Sequence, residues 1–347
     1  MIIILPIEPI ETRYTAQWYK NIPEQLAQRG CDVVQIDGEV LDENTSPGAF
    51  LNFCSTNVWK NSQINQLAAM FNEGKIKSGD KVLITDAWNT GILQIKYMKE
   101  LLGIDVEIHA IWHAGSYDPN DFLGRMPNIS WARDTERALA KSIDVNYFAT
   151  RYHEQLFLDT LFSDDDEPKT VISGQPHELL IEILKNYDSS IKENQIIFPH
   201  RLAPEKQLDI FKDLEKSLPE YKFVTCQESR LTKDQYYSEL AKSKICFSAS
   251  LQETYGIGCA EASILKTIPL CPDRLSYAEI YQQYPEVLYP SEWTSNFEEY
   301  LKHKDDLIEV IRDIMNHYDK YRVVIEKFNT ETLEYYATAD IMYERLS

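Results

Sequence analysis

Short β-branched runs alternate with amphipathic stretches of helical period along this whole chain, and that rhythm constrains the fold more than any other feature. Strands are expected over 2–5, 32–36, 81–85, 106–112, 144–148 and 170–173, then over 195–199, 222–225, 244–247, 267–271 and 287–289. Helical patterns over 16–29, 63–73, 91–102, 131–142, 204–218 and 233–241 separate them. Such alternation builds parallel sheets with helices on both faces. The strands read as almost continuously apolar, as strands buried on two sides must. The rhythm falters over 175–194, where Asp188-Ser-Ser-Ile-Lys-Glu-Asn194 is polar throughout. A boundary there gives two doubly wound α/β domains facing a cleft, with ligands at the carboxyl ends of the strands.

A chain of 347 residues is long enough for two such domains. No run of 18 apolar residues occurs, so no membrane span is expected. Met1-Ile-Ile-Ile-Leu-Pro6 reads as a first strand and not as a signal peptide. The six cysteines form no C-x-x-C pair and most lie in or beside apolar runs, which fits reduced thiols in a cytoplasm. The net charge of −20 is spread over both halves and repels polyanions at long range, an argument against tight non-specific nucleic-acid binding.

The chemistry concentrates in two segments. In Ser248-Ala-Ser-Leu-Gln-Glu-Thr-Tyr-Gly-Ile-Gly-Cys-Ala-Glu-Ala262, an apolar strand runs into a Gly-x-Gly turn and a helical pattern leaves it. A fresh helix N-terminus presents unpaired N–H groups and a favourable dipole to an anion. Glycine lets a phosphate approach the backbone closely. Glu253 and Glu261 flank the turn and can accept from hydroxyls. In Phe198-Pro-His-Arg-Leu-Ala-Pro-Glu-Lys-Gln-Leu208, Arg201 and Lys206 follow a strand, and Pro204 opens a helix. Two cations there can neutralise a diphosphate, Arg as a fork and Lys as a point charge.

Together the two segments resemble the donor domain of GT-B glycosyltransferases, in particular the large retaining, family-4-like group that carries "GRL-x-x-E-K-G" and "E-G-F-G-x-x-x-x-E-A". Here these read His200-Arg-Leu-Ala-Pro-Glu-Lys-Gln207 and Glu253-Thr-Tyr-Gly-Ile-Gly-Cys-Ala-Glu-Ala262. The likeness covers residues 195–275 well and the rest in outline. His200 and Gln207 replace glycines of the pattern, and Lys266-Thr267 stand where a glycine usually precedes proline. The resemblance implies a GT-B fold: residues 1–178 as an acceptor-side Rossmann-like domain, joined by a returning C-terminal helix at about 330–347, and residues 190–329 as a nucleotide-sugar domain. It implies that Arg201 and Lys206 bind the donor diphosphate, Glu261 the ribose and Glu253 the sugar. The backbone at Tyr255, Gly256 and Ile257 would cradle sugar and phosphate, and the base would rest near 226–229. It also implies retention of configuration by front-face attack, with no cofactor beyond the nucleoside diphosphate sugar and no metal. Asp164-Asp-Asp-Glu167 lies away from any strand's carboxyl end and reads as a solvated charge run, not as a D-x-D metal motif.

In the first domain, Ile111-Trp-His-Ala-Gly-Ser-Tyr-Asp-Pro119 ends a strand, and a histidine at this place in the resembling family reaches the donor sugar. His113 is therefore a catalytic candidate beside Glu253, Arg201 and Lys206. Acceptor contacts are expected at Glu8, Arg13 and Tyr14 after the first strand, at Trp88 after the third and at Ser116 after the fourth. The segments around Glu8–Trp18 and Trp112–Arg125 are also similar to phage transferases that decorate hydroxymethylated pyrimidines in DNA. That likeness implies modified DNA as acceptor, a host cytoplasm as location, and a local positive stripe from Arg13, Arg125, Arg133 and Arg151. A saccharide or small-molecule acceptor, or a nucleotide-sugar epimerase of the same fold, is the alternative.

Overall fold

A computed structural model describes residues 1–41, 51–163 and 166–347; Asp164 and Asp165 of the acidic run lie outside them. The chain divides into two compact units, Met1–His177 with Thr338–Ser347, and Glu178–Ala337.

The first unit contains β1 (Ile2–Leu5), α1 (Thr15–Gln28), β2 (Val33–Gln35), α2 (Ser55–Asn72), β3 (Lys81–Ile84), α3 (Gly91–Leu102), β4 (Glu107–Ile111), α4 (Ser130–Ser142), β5 (Val145–Phe148), α5 (Arg151–Leu161), β6 (Thr170–Ile172) and the last helix of the chain, α14 (Asp340–Leu346). Its sheet is wholly parallel, in the order β2-β1-β3-β4-β5-β6. Successive residues of each strand enter opposite cores. Ile3, Leu5, Val82, Ile84, Ile108 and Ala110 pack on one side. Ile2, Ile4, Leu83, Ile111 and Tyr147 pack on the other. Burial on both faces explains why the strands show no polar alternation. The second core is completed by Trp18, Ile22 and Leu26 of α1 and by Met342, Tyr343 and Leu346 of α14.

Helix α2 begins at Ser55, well before the apolar pattern that starts at 63. The side-chain oxygen of Asn52 accepts from the amides of Cys54 and Ser55 and starts the helix, although Asn57, Lys60 and Ser62 break the apolar period.

The second unit contains α6 (Glu178–Leu184), β7 (Glu193–Phe198), α7 (Leu208–Ser217), β8 (Lys222–Thr225), α8 (Lys233–Lys242), β9 (Ser243–Phe247), α9 (Ile257–Ile264), β10 (Ile268–Pro272), α10 (Leu275–Ile280), β11 (Leu288–Tyr289), α11 (Phe297–Asn316), α12 (Tyr318–Glu331) and α13 (Leu333–Ala337). Its parallel sheet has the order β11-β10-β9-β7-β8. The chain leaves β7 for β8 on one side and returns to β9 on the other. In the first unit it likewise leaves β1 for β2 and returns to β3. Each unit therefore has a switch point at the carboxyl end of its first strand, where open α/β sheets bind ligands.

The helix expected over 204–218 is divided. Pro204–Lys206 form one 3-10 turn, Gln207 takes φ +52°, and α7 starts at Leu208.

Candidate functional site

The switch point of the second unit gathers the charged residues of both sequence segments. The loop after β7 and the loop after β9 are tied by backbone and side chain. Leu251 N donates to Glu205 O at 2.8 Å, and Gln207 Nε2 donates to Ala249 O at 2.6 Å. Lys206 Nζ lies 2.7 Å from Glu253 Oε1 and also donates to the Gln252 carbonyl. Arg201 Nη2 lies 2.5 Å from Oε1 of the buried Glu205. His200 Nε2 meets Ser248 Oγ at 3.0 Å, and its Nδ1 lies 3.5 Å from Glu253 Oε1. Burial, and next the charge of Lys206, push the imidazole down to about 3, so His200 is neutral at physiological pH.

Glu261 stands in the second turn of α9, with 2% of its surface exposed. It faces α8, whose start is fixed by a capping box between Thr232 and Gln235. Tyr236 OH donates to Glu261 Oε2 at 2.6 Å. Tyr237 OH donates to Oε1 at 3.2 Å, and Lys233 Nζ lies 3.5 Å from the same oxygen. Arg201 with Glu205, Lys206 with Glu253, and Glu261 with Lys233 and Tyr236 thus form three ion-paired groups at the carboxyl edge of the same sheet. Three cations, Arg201, Lys206 and Lys233, match three carboxylates, Glu205, Glu253 and Glu261.

The glycine turn has the geometry that an anion cradle needs. Gly256 takes φ +87° just before α9, and a Cβ there would stand 2.5 Å from Cε1 of Tyr277. A Cβ on Gly258 would stand 2.9 Å from the Pro199 ring, so α9 packs directly on the loop after β7. The bonds of α9 begin with Cys259 N and Ala260 N, both donating to Gly256 O, so the amides of Ile257 and Gly258 precede the first helical bond. Tyr255 is buried beneath the turn.

Two substituted glycines keep the backbone that glycine favours. Gln207 at φ +52° and Lys266 at φ +58° are both left-handed. Gln207 offsets the cost by donating from Nε2 to Ala249 O and to Thr294 O, at 2.6 and 2.7 Å. At Lys266, the end of α9 is closed by Lys266 N to Ser263 O and Thr267 N to Ala262 O, a Schellman-like closure.

At the switch point of the first unit a different set converges. Lys60 Nζ of α2 lies 2.6 Å from Asp86 Oδ2 and 2.7 Å from Trp88 O. Both partners are buried, and the Lys60 charge is the main influence holding the Asp86 carboxyl low against its burial. Glu8, half-buried beside Thr56 and Lys60, has its pKa raised, mainly by burial. Tyr14 OH lies 3.0 Å from His113 Nδ1, and His113 Nε2 lies 2.9 Å from Thr85 O. A carbonyl can only accept, so Nε2 carries a proton, and in the neutral ring Nδ1 accepts from Tyr14. Both nitrogens of His113 are therefore committed within this unit. Arg13 is half-buried in the same loop after β1.

Two acceptor candidates, Ser116 and Trp88, are bonded to the carboxylate of Glu136. Ser116 is fully buried, and both its amide and its hydroxyl donate to the carboxylate of Glu136. Trp88 Nε1 donates to Glu136 Oε1 at 2.8 Å, while its half-buried ring meets Trp131 edge-on. Burial raises the pKa of Glu136, and these donors pull it back. Glu136 joins the loops after β3 and β4, a role that sequence reasoning missed. The signal was an acid on the buried stripe of α4, between Ala132 and Leu139. Trp18, Trp59 and Trp112 are core residues.

No protein-family model matches the sequence, and no curated protein matches it. Solved structures do. Sucrose-phosphate synthase from Thermosynechococcus elongatus superposes with a TM-score of 0.64 at 12% identity, over 100% of this chain and 99% of that one. The catalytic domain of starch synthase IV from Arabidopsis thaliana, bound to ADP and acarbose, gives 0.60 at 11% identity, over 99% and 97%. These neighbours share both parallel sheets. The chain has the GT-B fold. The pneumococcal O-GlcNAc transferase GtfA, in complex with UDP and GlcNAc, gives 0.54 at 16% identity, and this chain spans 60% of its length. Among the described residues, no helix of this GT-B chain is long and apolar enough to cross a membrane.

Proposed function

We propose that the protein is a glycosyltransferase that moves a sugar from a nucleoside diphosphate sugar to an acceptor hydroxyl. The observation that carries this reading is the placement of Arg201, Lys206, Glu253 and Glu261 on the two segments that follow β7 and β9, at the switch point of one parallel sheet. Two GT-B neighbours are seen with UDP and with ADP bound, which supports a nucleotide as the ligand.

In this reading the donor diphosphate docks on the first amides of α9 and on Arg201 and Lys206. Its negative charge competes with Glu253 for Lys206, which turns the Glu253 carboxylate toward the sugar hydroxyls. Glu261 accepts from the ribose, and the backbone of Tyr255, Gly256 and Ile257 lines the sugar and phosphate. As the glycosidic C–O bond breaks, charge builds on the leaving phosphate, and the fixed cations and amides stabilise it. Retention, with the leaving phosphate accepting the acceptor's proton, follows from the family resemblance, as does independence of a metal ion. Glu8, Arg13 and Tyr14 supply acceptor-side groups. His113, with both ring nitrogens engaged, holds the loop after β4 in place and carries no proton in the reaction.

Nucleotide release from a panel of nucleoside diphosphate sugars, in the presence of EDTA, tests this reading. Saccharides, small alcohols and hydroxymethylated DNA are added in turn as acceptors. Release that rises with one acceptor is the expected result, and stimulation by hydroxymethylated DNA would bring in Arg13, Arg125, Arg133 and Arg151 as phosphate contacts. Release without any acceptor requirement would favour an epimerase, and no release from any donor would refute the proposal.

A further inference from the structure

We propose that Tyr236 gates the ribose subsite: its hydroxyl holds the one oxygen of Glu261 that a ribose hydroxyl has to take. The inference rests on the nucleotide-sugar reading and assigns to Tyr236 a control over which nucleosides that site accepts.

A carboxylate only accepts hydrogen bonds, so its capacity is shared among the donors around it. Glu261 Oε1 already receives Tyr237 OH at 3.2 Å and faces Lys233 Nζ at 3.5 Å. Among the described residues, Oε2 receives only Tyr236 OH, at 2.6 Å, the shortest contact of the three. Tyr237 is buried, with 2% exposure, and is held in the interior. Tyr236 has a buried hydroxyl but keeps part of its remaining surface in solvent, and Lys233 lies over both rings, 5.6 Å from the centroid of Tyr236 and 4.8 Å from that of Tyr237. Of the two tyrosines, Tyr236 is thus the one with a solvent side toward which its ring can turn.

Its position puts it in the path of the ligand. Tyr236 OH lies 3.6 Å from where a Cβ on Gly258 would stand, so it spans the gap from α8 to the first turn of α9. A nucleotide with its diphosphate on that turn and its ribose on Glu261 meets this hydroxyl between the two. A carboxylate oxygen has two acceptor sites; among the described residues Tyr237 and Lys233 take those of Oε1 and Tyr236 takes one of Oε2, so a ribose diol finds one site on Oε2, and a second only when Tyr236 leaves. The exchange replaces one hydroxyl donor by another, so the nucleotide gains little from the contact. Phenylalanine at 236 keeps the ring, removes the competitor and leaves Oε2 for the ribose. The ribose then gains the worth of one hydrogen bond to a charged group, on the order of fivefold in affinity or more.

The test is calorimetric binding of UDP, ADP, GDP and CDP to the wild-type protein and to Tyr236→Phe, followed by the 2′,3′-dideoxy form of whichever binds best. The gate predicts that the ribonucleotide binds Tyr236→Phe about fivefold or more tightly than wild type, while the dideoxy form changes less than about twofold. A merely structural role would shift both nucleotides together, and that result overturns the gate, as does a selective fall for the ribonucleotide. Tyr237→Phe, which removes a donor from the other oxygen, serves as the comparison and should gain less. If Tyr236→Phe fails to fold, a crystal structure of wild-type protein with the bound ribonucleotide decides. Tyr236 OH displaced from Oε2 by a ribose hydroxyl supports the gate, and an unbroken Tyr236–Glu261 bond refutes it. Absence of binding by all four nucleotides to wild type would instead refute the nucleotide-sugar reading itself.

Discussion

Lys206 Nζ and Glu253 Oε1 are joined at 2.7 Å, so the cation expected at the diphosphate and the carboxylate expected at the sugar stand as one ion pair. Both are shielded, with side-chain exposures of 6% and 17%. Removing one partner strands the other's charge. Lys206→Ala should therefore weaken nucleoside diphosphate binding by about tenfold or more and also lower stability. Lys206→Ala with Glu253→Ala should recover part of the stability and none of the affinity. Urea melts and calorimetry on the two variants separate these effects.

Gln207 offers a separate measure of backbone cost. Gln207→Ala and Gln207→Gly both lose the hydrogen bonds to Ala249 O and Thr294 O, but only glycine also relieves φ +52°. Both should be less stable than wild type, and the glycine variant should exceed the alanine variant by about 1 kcal/mol in denaturant melts.

Gly258 should reverse the ordinary helix rule. Gly→Ala inside a helix normally gains about 1 kcal/mol. Here the new Cβ would stand 2.9 Å from two carbons of the rigid Pro199 ring. Gly258→Ala should therefore lose roughly 1–3 kcal/mol, the usual cost of overpacking, and should move α9 off the loop after β7. A denaturant melt showing equal or greater stability would contradict that packing.

Two neutral buried imidazoles set an acid limit. Burial pushes both His153 and His200 from 6.5 down to about 3. The unfolded chain binds these protons below about pH 6.5 while the folded protein refuses them until near pH 3, so stability falls as pH drops through that window. Each histidine costs about 1.4 kcal/mol at pH 5.5 relative to pH 7.5. His153 lies in the first unit and His200 in the second. His153→Gln and His200→Gln should each flatten the pH dependence of unfolding between pH 7.5 and 5.5 by an average of about half a proton, read from urea melts across that range.

The fold and the turn before α9 were legible because their signals are local. β-branched runs between helical periods fixed the two parallel sheets, and the strand–turn–helix pattern around Gly256 lay within one stretch of chain. What escaped was set by contacts between distant residues. Nothing in the sequence says that Lys60 reaches Asp86, or that Lys206 is held by Glu253. Ser116 looked available because it follows a strand, yet packing turns it inward to Glu136. Gln207 interrupts its helix because the left-handed turn is supported by carbonyls of two other loops.

The most direct test is a crystal structure of the protein with a nucleoside diphosphate bound. The account predicts the diphosphate within hydrogen-bond distance of the first amides of α9 and of Lys206, with a ribose hydroxyl on Glu261. A nucleotide bound elsewhere on the chain, with Lys206, Glu253 and Glu261 untouched, would contradict it.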